Sequence, residues 1–251
     1  MKTSEEWIAY FNFNAKQKRV DWSQQPKVTK EELMPVLKSL QAWQLGETSE
    51  GRNLIKASEK YAAKTGDAFY VAAVKLFIKE EQKHGNNLGR YLDAIGKPRI
   101  QKNWGDTLFR KIRYLNASME IWTLAVITVE SAAQIFYQSL KDATGCPLLK
   151  AICTDILIDE APHIKFQQER LAKIFAAKTM AGMALSFYFY KFFYRSTSLV
   201  VWMAHKKVFR AGGNDFKQYY KKMNIKLEKT IGRLKCGSNE HSMVPSYQTT
   251  I

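Results

Sequence analysis

The chain has 251 residues, of which 46% are hydrophobic and 25% charged, and its formal net charge is +16. That length allows one sizeable core, and the ordinary balance excludes a disordered, collagenous or disulfide-framework protein. Three cysteines, Cys146, Cys153 and Cys236, form no Cys-x-x-Cys pair, which excludes a zinc ribbon and points to a reducing cytoplasm.

Only 13 glycines and 6 prolines interrupt long stretches of Ala, Leu, Lys, Glu and Gln. No alternating β-branched run stands between turn signals, so the chain reads as all-α. The opening MKTSEEWIAYFNFN carries early acids and no long apolar core, so no secretion signal is expected.

In chain order, a short amphipathic helix is expected over 4–14 and a polar link over 21–28. Thr29 and Glu32 form a capping-box pattern that opens one long helical stretch to about residue 64, with Pro35 as a kink or a late start. Thr65-Gly66 ends it. A second helix covers about 67–94. Residues 95–106 read as a connection, and a third helical stretch covers about 107–143, with a break near 116–118. Thr144-Gly145 precedes Pro147, a residue suited to a first helical turn, and a fourth helix runs to about 177. Further helices are expected near 180–208 and 214–234, and the last fifteen residues read as a tail. The domain boundaries follow: 1–28 as an N-terminal helix and link, 29–178 as a four-helix bundle, and 179–251 as a helical extension.

A helix of about 27 residues is roughly 40 Å long, and twelve extended residues span about that distance. The 95–106 link can therefore cross the whole bundle. The expected fold is a four-helix bundle with one long crossover, plus extra N- and C-terminal helices.

An internal repeat carries the chemistry. The segment from Thr65-Gly66 to Glu81-Gln-Lys-His84 matches the segment from Thr144-Gly145 to Glu160-Ala-Pro-His163, with an offset of 79 residues throughout. The chain has four histidines, and two of them close the same Glu-x-x-His pattern, each preceded by an acid, Glu80 or Asp159. Residues i and i+3 share a helix face, so each motif aims one carboxylate and one imidazole at one point. A carboxylate can bridge two metals and an imidazole can complete one. Two such motifs on facing helices make half-sites for a metal pair, and each half needs one more carboxylate from its hairpin partner. Glu130 lies fifteen residues before Gly145, and Glu50 lies sixteen before Gly66. The repeat spacing thus favours Glu50 as the first-helix ligand. Glu47, on a stripe with Leu33, Leu37, Leu40 and Gln44, is the alternative.

The pattern Glu50, Glu81-x-x-His84, Glu130, Glu160-x-x-His163 resembles that of the ferritin-like di-iron carboxylate superfamily, which includes rubrerythrins and soluble di-iron oxidases. The resemblance covers about residues 30–177. It implies two iron ions, or iron and manganese, held by those six residues and reacting with dioxygen or peroxide. It also implies that Glu80 and Asp159 hydrogen-bond the opposite histidines. Two departures stand out. Ile156 occupies the position where some aryl-amine oxygenases carry a third histidine, and Pro162 falls inside the last motif.

Three functions compete at this level. The first is an oxidoreductase acting on an apolar small molecule, since Val74, Phe77, Ile78, Leu88, Val126, Ile127, Ile156 and Leu157 neighbour the ligands; Tyr61 and Tyr137 are its candidate redox tyrosines. The second is ferritin- or rubrerythrin-type iron oxidation or peroxide scavenging. The third is a non-enzymatic bundle that binds a membrane or a nucleic acid. From 205 to 235 there are ten Lys or Arg against Asp215 and Glu228. That excess suits an acidic carrier protein or an anionic membrane surface. The expected setting is cytoplasmic, peripheral to the membrane in the lipid-binding case. An electron donor and a second copy of the chain complete the expected partners.

Overall fold

The computed structural model describes residues 1–104 and 118–241, with side chains to residue 234. The described residues form eight α-helices: α1 (Ser4–Asn14), α2 (Lys30–Glu47), α3 (Arg52–Thr65), α4 (Tyr70–Ala94), α5 (Met119–Asp142), α6 (Pro147–Ala176), α7 (Met180–Ala211) and α8 (Phe216–His241). The expected start of the third helix at 107, its break near 116, and the tail beyond 241 lie outside the described residues, as does the side chain of Cys236.

Helices α1 and α2 open with capping boxes, Thr3 with Glu6 and Thr29 with Glu32. Each cap satisfies amide donors that the first turn leaves open, and such a cap is worth about 1 kcal/mol. Pro35 lies inside α2 without ending it.

The bundle is built from α2, α4, α5 and α6. Helix α2 packs on α4, and α5 packs on α6. Two contacts set their directions. The Gly145 amide donates to Glu32 Oε1 at 2.6 Å, and Tyr91, near the end of α4, lies beside Cys146 and close to Glu32. The start of α2, the end of α4 and the α5–α6 turn therefore share one end of the bundle. Met119, the first residue of α5, packs with Tyr70, the first residue of α4, at the other end. The end of α4 and the start of α5 therefore lie at opposite ends of the bundle, the arrangement that one long crossover requires, and residues 105–117 of that connection lie outside the described residues.

The outer helices close this frame. Helix α1 lies on α4, with Trp7 and Phe11 in one apolar cluster with Phe77 and Phe166. Helices α7 and α8 pack on each other. Helix α7 also covers α5 and α2, and α8 covers α6. Helix α5 is long and apolar enough to cross a membrane by length and composition, but 72% of its most apolar window is buried inside the bundle.

The single helix expected over 29–64 is instead two helices. Helix α2 stops at Glu47, and α3 starts at Arg52. Gly51 takes φ +64°, a left-handed conformation that costs a residue with a Cβ, and a Cβ there would lie 2.5 Å from Ile78 Cδ1. The turn needs a glycine for its backbone, and the approach of α4 needs one for its space.

Candidate metal centre

Four helices converge on one buried point. Glu47 arrives from the last residue of α2, Glu81 and His84 from α4, Glu130 from α5, and Glu160 and His163 from α6. They divide into two groups, Glu47–His84–Glu160 and Glu81–Glu130–His163, and within each group one ligand atom per residue lies within 4.8 Å of the others. Five of the six side chains are buried and Glu81 is half-buried.

Glu50 is not among them. It lies in the turn between α2 and α3, largely exposed, and pairs with Arg52. Equal distances from a hairpin turn land side by side only along unbroken helices, and the break at 48–51 shifts that register. Glu47 occupies the position that the repeat spacing gave to Glu50. Gly85 makes this approach possible: a Cβ on it would lie 2.7 Å from Thr48 Cγ2 and 3.1 Å from the Glu47 carbonyl carbon.

Each motif braces the histidine of the other. Asp159 Oδ2 lies 3.0 Å from His84 Nε2, and Glu80 Oε2 lies 2.7 Å from His163 Nε2. A carboxylate on one ring nitrogen fixes the tautomer and turns the other nitrogen toward a metal. That other nitrogen, Nδ1, is buried in both histidines; in His84 it has no hydrogen-bond partner, and in His163 it lies 2.7 Å from Glu81 Oε1. Both carboxylate oxygens of Glu160 are likewise buried without a hydrogen-bond partner.

The electrostatics agree. Burial pushes Glu47 and Glu160 well above the usual carboxylate range, and neighbouring glutamates push them further. Burial also raises Glu130. Burial opposes charge on His163, but the Glu81 and Glu80 carboxylates hold its pKa well above the ordinary imidazole range. Glu47, Glu130 and Glu160, crowded and buried, are thus pushed toward their protonated forms where cations would otherwise sit. The orphaned donor atoms and the N/O ligand set therefore fit two divalent transition metals.

A polar layer missed by motif reading surrounds this core. Asn14, the last residue of α1, donates to Asp159 Oδ1 at 2.8 Å and to Glu80 Oε1. Arg19 reaches Asp155 and Asp159 at 2.8 Å each and donates to Asn14. Lys83 lies 2.8 Å from Asp159. Burial raises the Asp159 pKa, but His84, Lys83 and Asn14 outweigh it and hold the carboxyl far below its usual range. Asp155 precedes Asp159 by one helical turn, and that spacing was the available signal. Asn14 and Arg19 had none, because their segment is remote in sequence.

Tyr137 donates to Glu47 Oε1 at 2.6 Å. Tyr61 packs on Tyr70, near Arg170. Helix α6 runs on through Pro162, which cannot donate to the Ile158 carbonyl.

Beside the carboxylates lies a cavity of about 520 Å³, bordered by Glu47, Glu81 and Glu130. Trp43, Phe77, Ile78, Trp122, Val126, Val129 and Val201 supply its apolar walls. Gly46, where a Cβ would meet nothing within 4 Å, borders it too. His205 is at its rim, 3.0 Å from Ser39 Oγ through Nδ1.

No protein-family model and no curated protein matches the chain. Solved structures do. An R2-like ligand-binding oxidase with aerobically reconstituted Mn/Fe cofactor aligns with TM-score 0.59 and 17% identity, over 94% of this chain and 92% of that one. Two single-residue mutants of an R2-like ligand-binding oxidase with anaerobically reconstituted Mn/Fe cofactor align with TM-scores of 0.60 and 0.57, at 16% and 17% identity, over 95% of this chain and 93% of those. At that identity the likeness establishes the fold: this chain has the all-α, ferritin-like fold of those oxidases.

Proposed function

We propose that this protein is a di-metal carboxylate oxidoreductase acting on an apolar small molecule. The observation that carries the reading is the pair of carboxylate–histidine groups, each with its ligand atoms within 4.8 Å of one another, in which His84 Nδ1 and both Glu160 oxygens have no hydrogen-bond partner. Glu47, His84 and Glu160 would hold one metal, and Glu81, Glu130 and His163 the other. The metals are iron, or iron with manganese as in the similar solved structures. Four carboxylates and two neutral imidazoles balance two divalent ions.

The metal pair, when bound, supplies the electrons that reduce dioxygen or peroxide. The chain does the rest. Asp159 and Glu80 keep the Nε2 protons on their own side of His84 and His163, so Nδ1 faces the metals. Tyr137 donates its hydroxyl hydrogen to Glu47 Oε1 and so holds that carboxylate in place. The apolar walls of the cavity place an apolar group beside Glu47, Glu81 and Glu130. An apolar cavity at the ligands favours substrate oxidation over iron storage, which needs no such space. The free, buried thiols of Cys146 and Cys153 suit a reducing cytoplasm.

Metal analysis of purified protein and an anaerobic iron titration test this reading. Two transition-metal ions per chain, and dioxygen uptake on exposure to air, are the expected results. A single tetrahedral zinc, or metal-free protein after loading, overturns it.

A further inference from the structure

Helix α7 faces two ways. Its inner side, through Val200, Val201, Ala204 and His205, walls the cavity. Its outer side exposes Leu185, Tyr188, Phe189, Phe192, Leu199 and Met203, each between 41% and 76%. At about 100° per residue these six fall within one sector roughly 100° wide. The exposed Arg195 borders that sector, and the exposed Lys206, Lys207 and Arg210 extend it at the C-terminal end. No Asp or Glu occurs anywhere in Met180–Ala211.

We propose that this outer face of α7 rests on an anionic lipid surface. The aromatic and aliphatic side chains enter the boundary between headgroups and acyl chains, and Arg195, Lys206, Lys207 and Arg210 meet lipid phosphates. The helix lies along the bilayer, because Lys191 and Arg195 leave no uncharged run of about 18 residues to cross it. Its inner side stays in the bundle through Tyr190, Tyr194, Trp202 and Phe209, all buried.

Charge complementarity selects this occupant. A second copy packed on the same face about a two-fold axis pairs the middle of α7 with itself. That sets Arg195 beside its twin, on a helix with no acid to offset either. An acidic protein answers the cations and leaves the six apolar side chains in water. An anionic bilayer answers both. An apolar substrate would then reach the cavity from lipid, along the helix that walls it. That corollary rests on the oxidase reading, and the docking does not.

The full chain is sedimented with vesicles of phosphatidylcholine alone and of phosphatidylcholine with phosphatidylglycerol. The mixed vesicles are expected to carry the protein down at low salt, less so at physiological salt, and the neutral ones much less. Each cation at such a surface is worth about a fivefold change in partition. Reversing three, as Lys206→Glu, Lys207→Glu and Arg210→Glu together, should lower it by about a hundredfold or more. Phe192→Asp should lower it by at least about tenfold. Met34→Asp, at an exposed position on α2, should bind as the parent does, and far-UV circular dichroism checks that each variant is folded. Three results overturn the proposal: no sedimentation with mixed vesicles at low salt, Phe192→Asp binding like the parent while poly-glutamate binds equally well, or a dimer in light scattering that Phe192→Asp dissolves.

Discussion

Asp159 and His84 belong to different halves of the internal repeat, yet Asp159 Oδ2 sits 3.0 Å from His84 Nε2, and both side chains are fully buried. Glu80 and His163 make the reciprocal pair. Neither histidine can turn without breaking a buried charge-assisted hydrogen bond to the other helix. Asp159→Ala should therefore free the His84 ring and weaken metal binding by about 10- to 100-fold, the usual effect of losing such a partner. Competition with a chelator of known affinity measures it. Unchanged affinity would mean that packing alone orients the ring.

Asn14 ties α1 into the same arrangement, because its one amide nitrogen reaches both Glu80 and Asp159. Asn14→Ala leaves two buried carboxylates one donor short, at a cost of about 1–3 kcal/mol. The expected result is a lower thermal midpoint together with weaker metal binding. A variant with an unchanged midpoint would show that Arg19 and Lys83 suffice.

Glu47 and Glu50 separate cleanly. Glu47 is buried between Tyr137 and His84, while Glu50 faces solvent beside Arg52. Glu47→Ala should empty one metal position, whereas Glu50→Ala should leave both occupied and stability within about 0.5 kcal/mol, as at other exposed sites. Metal content per chain, read for each variant, decides between them.

Much of this was legible in the sequence, for physical reasons. Glu81-x-x-His84 and Glu160-x-x-His163 are local patterns, fixed by the helix period, and the structure brings all four side chains together. The chain direction across the bundle followed from helix lengths and one long link. Glu47 was harder. Its position depends on the turn at 48–51, which Gly51 builds by taking a positive φ against Ile78, and a glycine in a sequence does not announce whether it will interrupt a helix or sit inside one. Asn14 and Arg19 were beyond reach, since no local rule links them to residues more than 60 positions away. The aromatic-rich stretch of α7 suits a bundle-covering helix better than an interfacial one by composition, and composition does not say which of its apolar residues point outward.

His205 provides a pH test that spares the metal ligands. Its ring lies against the stacked rings of Trp43 and Phe136, and burial pushes its pKa down to about 4. In the unfolded chain a histidine takes up a proton near pH 6.5. Between those values the unfolded state binds more protons than the native state, so stability falls as pH drops from about 6.5 to about 4, and the loss is complete below that. A shift of that size corresponds to at most about 3.4 kcal/mol, and the remaining solvent contact of the ring brings the expected loss nearer to about 2 kcal/mol. His205→Gln cannot titrate and keeps a hydrogen-bonding group for Ser39. Urea unfolding of parent and variant at pH 7 and pH 4, both free of metal, should show the parent losing about 2 kcal/mol more than the variant over that interval. The carboxylate cluster contributes equally to both proteins and cancels in the difference. Parallel losses would mean that the ring accepts its proton in the folded protein as readily as in water, and that the rim of the cavity is wet.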